Sequence, residues 1–169
     1  MSRYGLYSLA LLVLLADQSS KAWVVGAHWH WPEEGRELIP GLFALTFNVN
    51  TGGAFGILPH GTLLLAFAAA VAAVAIIVYS VRAPMPLPRL LGVALALPLG
   101  GAMGNLLDRV RLHHVIDFLA LYAGPDRQWQ FPIFNLADTA ICTGVCLLAL
   151  YYGRQPAPVR EPALGLKDN

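Results

Sequence analysis

The chain has 169 residues, of which 57% are hydrophobic and only 12% charged, and its mean hydropathy is +0.58. A soluble domain carries about 25% charged residues, so this composition excludes a water-soluble globular protein and indicates one membrane-embedded domain. The formal net charge of +1 gives no basic surface for nucleic acid, and we expect no nucleic-acid partner.

Four stretches are long and apolar enough to cross a membrane, which takes about 20 residues. The second has no charged residue, whereas the first contains Asp17 and Lys21 and the fourth contains Asp138 about two turns from its start. We predict spans at residues 4–25, 62–81, 89–107 and 131–152.

The connections between these spans differ in kind. Residues 82–89 carry three prolines and predict a short turn between antiparallel helices. The segments 26–61 and 108–130 are longer and rich in apolar and aromatic residues. Within them we predict a strand over 41–47 and a short amphipathic helix over 115–122.

An even number of spans places both termini on one side of the membrane. Basic residues are slightly more frequent near the termini and the short turn, so we expect cytoplasmic termini and extracytoplasmic long segments. Residues 154–169 are rich in proline and charge, which predicts a disordered cytoplasmic tail after a single four-span domain, residues 1–153. The predicted fold is an all-α membrane protein with a small β-rich segment and a short helix outside.

Polar residues within or beside the spans carry the functional information. Asp17 and Lys21 are four residues apart and share a helix face, which predicts a buried ion pair. A role in positioning loops or lipid head groups is the alternative. Asn105, Asp108 and Arg109 follow closely spaced glycines and also share one face. They mark either a helix end returning to water or a functional polar cluster.

Asp117 and Asp138 are the candidate reactive groups. Asp117 lies among apolar residues, where it caps a short helix, faces solvent or takes part in chemistry. Asp138 lies inside a span, where an acid serves either function or a neutral interhelical hydrogen bond. If the two carboxyls approach, they share one proton, as in aspartic proteases, but the sequence does not show proximity.

Two other functional classes fit less well. A small proton-coupled transporter or carrier subunit predicts charges spread through the membrane depth, together with an internal repeat. A non-catalytic assembly factor that binds lipid would tolerate an amide at either aspartate. His113 and His114 are adjacent and point in different directions on a helix, so we expect no metal site.

With these residues in view, the chain up to about residue 152 resembles the lipoprotein signal peptidase (signal peptidase II) family. Any one of the matching motifs alone would be weak, whereas five in order are specific. They are residues 17–21 (DQSSK), 50–55 (NTGGAF), 100–109 (GGAMGNLLDR), 114–118 (HVIDF) and 134–138 (FNLAD). Small departures from the family pattern occur at Gly53 and Met103.

The resemblance implies a four-span aspartyl endopeptidase whose catalytic dyad is Asp117 and Asp138. It implies substrate-binding or dyad-supporting roles for Asn50, Asn105, Arg109 and Asn135, and structural roles for the polar residues Asp17, Lys21 and Asp108.

The resemblance also implies a substrate and a cellular location. The substrate class is a diacylglyceryl-modified bacterial prolipoprotein, cleaved just before its lipidated cysteine. The enzyme would lie in the bacterial inner membrane with its site near the outer face, in contact with membrane lipids. We expect a monomer, and neither a metal nor an organic cofactor is implied.

Overall fold

The computed structural model describes residues 1–27, 35–53, 61–124 and 129–155. Four helices are long and apolar enough to cross a membrane, as the sequence predicts. They are α1 (Arg3–Ala27), α2 (Thr62–Arg82), α3 (Arg89–Leu112) and α4 (Leu136–Gly153). The four strands are β1 (Arg36–Ile39), β2 (Phe43–Asn50), β3 (Val115–Ala123) and β4 (Trp129–Gln130). Most of the predicted tail, residues 156–169, lies outside the described residues.

Two helix boundaries differ from the expected ones by five residues, and the others agree within two. Helix α3 continues to Leu112 and ends where His113 takes a left-handed conformation, with φ of 63°. Helix α4 begins five residues later than predicted, because Asn135 is extended and its side chain accepts a hydrogen bond from the Asp138 backbone N–H. Asp138 therefore lies in the first turn of α4, not two turns inside it.

Helix α3 is the centre of the bundle and packs against α1, α2 and α4. Two glycines allow this close packing. A Cβ atom at Gly100 would lie 2.5 Å from the Ala10 carbonyl oxygen of α1, and one at Gly101 would collide with the Ala137 carbonyl oxygen of α4. Small residues of this kind let helix backbones approach in a membrane, where apolar side chains gain little by leaving lipid.

The strands form one antiparallel sheet in the order β1-β2-β3-β4. Strand β2 confirms the expected strand from Phe43 to Phe47 and extends it to Asn50, whereas residues 41 and 42 form a turn, with Gly41 at a φ of 73°. The short helix expected over 115–122 is wrong, because this segment is strand β3 and pairs with β2 from Phe43↔Leu121 to Asn50↔Val115. Both faces of β3 are largely buried. Its apolar run therefore reflects burial on two sides rather than one helical face.

The bundle has two ends of different character. The apolar end is a cluster of aliphatic side chains from α1, α2, the α2–α3 turn and α3. Here Arg3 donates to the Ser80 and Val81 carbonyl oxygens at the end of α2, at 2.9 and 2.6 Å. The polar end lies beside the sheet, where α1, α3 and α4 meet. The buried members of the apolar end are Leu6, Ala10, Ala73, Leu87, Leu91, Leu95, Ala96 and Leu99.

Candidate active site

The polar end brings together residues that are distant in the chain. Helices α1 and α3, strands β2 and β3 and the start of α4 each contribute side chains to one hydrogen-bonded network. Its members are Asp17, Gln18, Lys21, Asn50, Asn105, Asp108, Arg109, Asp117, Asn135 and Asp138.

Asp117 is on strand β3 and is almost completely buried. Both of its carboxylate oxygens accept hydrogen bonds, one from the Asn50 side chain at 2.8 Å and one from the Asn135 side chain at 2.6 Å. Burial, with the nearby Asp138 carboxylate, raises the pKa of Asp117 to about 7, against the opposing effect of these two amides. Asp117 can therefore hold a proton near neutral pH.

Asp138 is half-buried in the first turn of α4. Its Oδ1 atom accepts a hydrogen bond from the Asn105 side chain at 2.7 Å. Its Oδ2 atom accepts from the Asn135 backbone N–H at 3.3 Å, which completes a capping box with Asn135. Two N–H groups thus hold the Asp138 carboxylate at the helix N-terminus, where the helix dipole also favours negative charge.

Asn135 connects the two aspartates and is fully buried. Its Nδ2 atom donates to Asp117, and its Oδ1 atom accepts from the Asp138 backbone N–H at 2.9 Å. One amide therefore contacts the side chain of Asp117 and the backbone of Asp138. The sequence left the proximity of these two aspartates open, and the fold brings them together around Asn135.

The predicted ion pair between Asp17 and Lys21 is present, with 2.8 Å between Nζ and Oδ2. Asp108 extends it, because its Oδ2 atom lies 2.7 Å from the same Lys21 ammonium. All three side chains are almost completely buried. We call Asp17, Lys21 and Asp108 the ion cluster.

Gln18 is a member of the network that the sequence reasoning did not single out. Its Nε2 atom donates to Asp108 Oδ1 at 2.9 Å and lies 3.2 Å from Asp17 Oδ2. It therefore supplies neutral N–H groups to a cluster that has two carboxylates and one ammonium. The sequence feature that could have indicated a role for Gln18 is its position between Asp17 and Lys21 in the DQSSK motif.

Arg109 connects the helices with the segment after β2. Its guanidinium lies 3.3 Å from the Asn105 carbonyl oxygen and 3.4 Å from the Gly52 carbonyl oxygen. The Gly52 backbone N–H in turn donates to Asn50 Oδ1 at 2.9 Å, and Asn50 Nδ2 donates to Asp117. Both ends of the Asn50 amide are therefore held by hydrogen bonds.

Within the described ranges, no three His, Cys, Asp or Glu residues group so as to hold a metal ion.

Comparison with known proteins identifies the family to which this site belongs. The family model described as signal peptidase (SPase) II matches residues 9–153, a range that includes the whole network. The chain belongs to the signal peptidase II family. A lipoprotein signal peptidase of Symbiobacterium thermophilum is 43% identical over 143 residues, which cover 85% of this chain and 90% of that protein. One from Pseudomonas fluorescens is 41% identical over 158 residues, 89% of each chain.

Two solved structures of bacterial membrane enzymes have the same fold. One has a TM-score of 0.77 at 24% identity and covers 94% of this chain and 96% of its own. The other has a TM-score of 0.76 at 25% identity and covers 91% and 96%. This signal peptidase II family member is therefore a multi-pass membrane protein and a peptidase. Family membership argues against the transporter and assembly-factor alternatives.

Proposed function

We propose that the chain is an intramembrane aspartyl endopeptidase that removes the signal peptide from diacylglyceryl-modified bacterial prolipoproteins, cleaving before the lipidated cysteine. Family membership and the relatives named lipoprotein signal peptidase support the substrate class. The observation that carries the mechanism is the contact of Asn135 with both aspartates, through the side chain of Asp117 and the backbone of Asp138.

The proposed reaction uses one proton shared between the two aspartates. The raised pKa of Asp117 supports a resting state in which Asp117 is protonated and Asp138 is charged. Asp138 takes a proton from water as the water oxygen attacks the scissile carbonyl carbon, and Asp117 gives its proton to the carbonyl oxygen. When the tetrahedral intermediate collapses, Asp138 protonates the leaving nitrogen, the C–N bond breaks, and Asp117 recovers its proton.

The amides around the dyad support these roles. Asn50 and Asn135 orient the Asp117 carboxyl, and Asn105 holds Asp138 by a 2.7 Å hydrogen bond. Arg109 is half-buried and bonds backbone carbonyl oxygens. We assign it to holding the segment after β2 or the carbonyl groups of the substrate peptide.

The location of the site fits a substrate that arrives in the plane of the membrane. We propose that the protein lies in the bacterial inner membrane with cytoplasmic termini, so that the sheet and the dyad are near the outer face. A lipid anchor would then hold the scissile bond at the depth of the dyad, and acyl-chain binding would help to orient it. Residues 1–153 would form the single membrane domain, followed by a cytoplasmic tail, and act as a monomer among membrane lipids.

The experiment is a cleavage assay in detergent on a lipid-modified prolipoprotein, with the folded state of each variant checked by thermal unfolding. We expect the wild type to cleave and both Asp117→Asn and Asp138→Asn to lose at least about a thousandfold in kcat/KM, because each removes a group that transfers protons. Glu37→Gln is the matched control. It makes the same acid-to-amide change on β1, where Glu37 bonds Tyr122, and should stay within about threefold of wild type. Near-normal cleavage by either folded dyad variant would refute the mechanism.

A further inference from the structure

The ion cluster adjoins the dyad without touching the dyad carboxylates, and its geometry suggests a specific role. The side-chain amide of Asn105 has two chemically different ends, and a half-turn about its last bond exchanges them. Its Nδ2 end donates to Asp138 at 2.7 Å, and its Oδ1 end accepts from the Lys21 ammonium at 2.9 Å. In the opposite orientation an oxygen would face a carboxylate and an N–H₂ group would face an ammonium.

We propose that Lys21 is a positioning residue, which selects the orientation of the Asn105 amide that presents N–H₂ to Asp138. This inference rests on the proposed function for its consequence in catalysis. An ammonium is donor-only and a carboxylate is acceptor-only, so Lys21 and Asp138 together leave Asn105 one favourable orientation. Asn135 Nδ2, at 3.2 Å from the same Asn105 oxygen, makes a second and longer contact. Loss of Lys21 should therefore weaken, but not abolish, the preference of the Asn105 amide for the orientation that presents N–H₂ to Asp138.

Lys21 is itself held in the direction that this role requires. The Asp17 and Asp108 carboxylates accept two of its three N–H groups, at 2.8 and 2.7 Å, and the third reaches Asn105. The side chain is 2% exposed, so water does not compete for these bonds. Neutralising the ammonium would need only one carboxylate, whereas two of them fix its direction.

Both carboxylates of the cluster also bind backbone next to a dyad aspartate. Asp17 Oδ1 accepts from the Ala137 N–H at 3.0 Å, one residue before Asp138. Asp108 Oδ2 lies 3.4 Å from the Ile116 nitrogen, one residue before Asp117. The ammonium that orients Asn105 is thus anchored to the two backbone segments that carry the reacting groups.

The test compares two variants that differ at Lys21 alone. Asp108→Asn removes one negative charge, and Lys21→Met in that background then removes the ammonium. The double variant has the same cluster charge as the wild type, because one carboxylate and one ammonium are lost together, whereas the single variant is one unit more positive. From the single to the double variant we expect kcat to fall about 10- to 100-fold, the loss of a hydrogen bond from a charged donor, with KM within about twofold.

The same step is then repeated in an Asn105→Ala background. If Lys21 acts through Asn105, adding Lys21→Met should there lower kcat by less than about threefold, because the amide it orients is gone. An equal loss in both backgrounds would show that Lys21 supports the fold independently, and would overturn the proposal. A folded double variant with unchanged kcat would overturn it as well.

A measurement on the wild type needs neither folding of these variants nor cleavage. In enzyme labelled with ¹⁵N at asparagine, the protons on Asn105 Nδ2 report the orientation of the side-chain amide. We expect them to show stronger nuclear Overhauser contacts to the first turn of α4 than to the Lys21 side-chain methylenes. The reverse pattern would overturn the assigned orientation. If the wild type failed to cleave a lipid-modified prolipoprotein, the proposed function would fail while this result on the amide would stand.

Discussion

At the apolar end, α1, α2 and α3 pack through leucine and alanine side chains, whereas at the polar end α1, α3 and α4 meet through charged and amide side chains. Both ends are buried. Helix α2 contributes buried side chains only to the first, and the buried residues along its length are Ala73 and Ser80. Ile76 packs against the apolar cluster, and most of the other large apolar side chains are exposed, as expected for a helix in contact with lipid.

The contrast shows which kind of contact can fix atomic positions within a membrane. Apolar side chains gain little by leaving lipid, so the apolar end is held by close packing and tolerates small shifts. Hydrogen bonds and ion pairs are directional, and burying their groups without partners is costly. In the described part of the chain, Thr46 Oγ1 is the one buried side-chain polar atom without a partner. The polar end is therefore held by directional contacts, as the proposed two-aspartate reaction requires.

Apart from the two aspartate variants, the largest expected effect comes from forcing the helices apart at the polar end. In Gly101→Ala the new methyl group would collide with the Ala137 carbonyl oxygen and lie 2.9 Å from Ile141 Cγ1. We expect unfolding to become easier by about 1–3 kcal/mol and kcat/KM to fall at least about a hundredfold, because Ala137 precedes Asp138. Thermal unfolding and the cleavage assay measure the two effects.

Gly5→Ala is the matched change at the apolar end. A Cβ atom there would have its nearest neighbours, Met1 and Ser2 side-chain atoms, at 3.4 Å. We expect activity within about twofold of wild type and stability unchanged or raised by up to about 1 kcal/mol, since alanine favours a helix more than glycine does. Equal losses at both sites would remove the distinction between the two ends.

A medium effect is expected from pH, because Asp117 titrates near 7. Loss of its proton leaves two neighbouring charged carboxylates, so kcat/KM should fall with a midpoint near pH 7 and by about tenfold for each further pH unit. The measurement is a pH profile of cleavage from pH 5 to 9. A profile that stays flat to pH 9 would contradict the assignment.

The same pKa shift predicts how stability changes with pH. The folded-state pKa of Asp117 lies above its ordinary value of 3.8, so the folded state binds this proton more tightly between about pH 4 and 7. This contribution to stability is complete below that window and is lost as pH rises through it. Between pH 5 and 8 the unfolding temperature of Asp117→Asn should therefore change less than that of the wild type.

The smallest expected effect is a lost hydrogen bond at the apolar end. Ser80 is fully buried, and its hydroxyl lies 2.7 Å from the Tyr7 hydroxyl. Ser80→Ala should lower stability by about 0.6 kcal/mol, the average for such bonds between membrane helices, and leave kcat/KM unchanged. A tenfold loss of activity would show that the two ends are more tightly coupled than their contacts indicate.

The sequence predicted the elements whose signal is local. Apolar runs gave the four helices, and the spacing of Asp17 and Lys21 gave their ion pair. The start of α4 was also available locally, since Asn135 followed three residues later by Asp138 matches a capping pattern. The apolar residues at 131–134 predict an earlier start, because they continue the apolar run of the span although they precede the helix.

Strand pairing and side-chain contacts between residues far apart in the chain could not be predicted from local sequence patterns. Strand β3 was expected to be a helix, because its pairing with β2 joins residues about 70 positions apart. The contact of Lys21 with Asn105 spans 84 residues, and that of Asp17 with the Ala137 N–H spans 120. The motifs of the family resemblance named most of these residues, but only the folded chain shows which atom meets which.

The ion pair within α1 also bears on how the protein is assembled. Helices leave the ribosome in chain order, so α1 enters the membrane before α3, which carries Asp108, has been made. Until then Asp17 and Lys21, on successive turns of one helix, can neutralise each other without help from any other segment. Insertion of an isolated α1 thus avoids exposing two unpaired charges to lipid. Asp108 and Asn105 arrive later with α3 and complete the contacts of an ammonium that already has one partner.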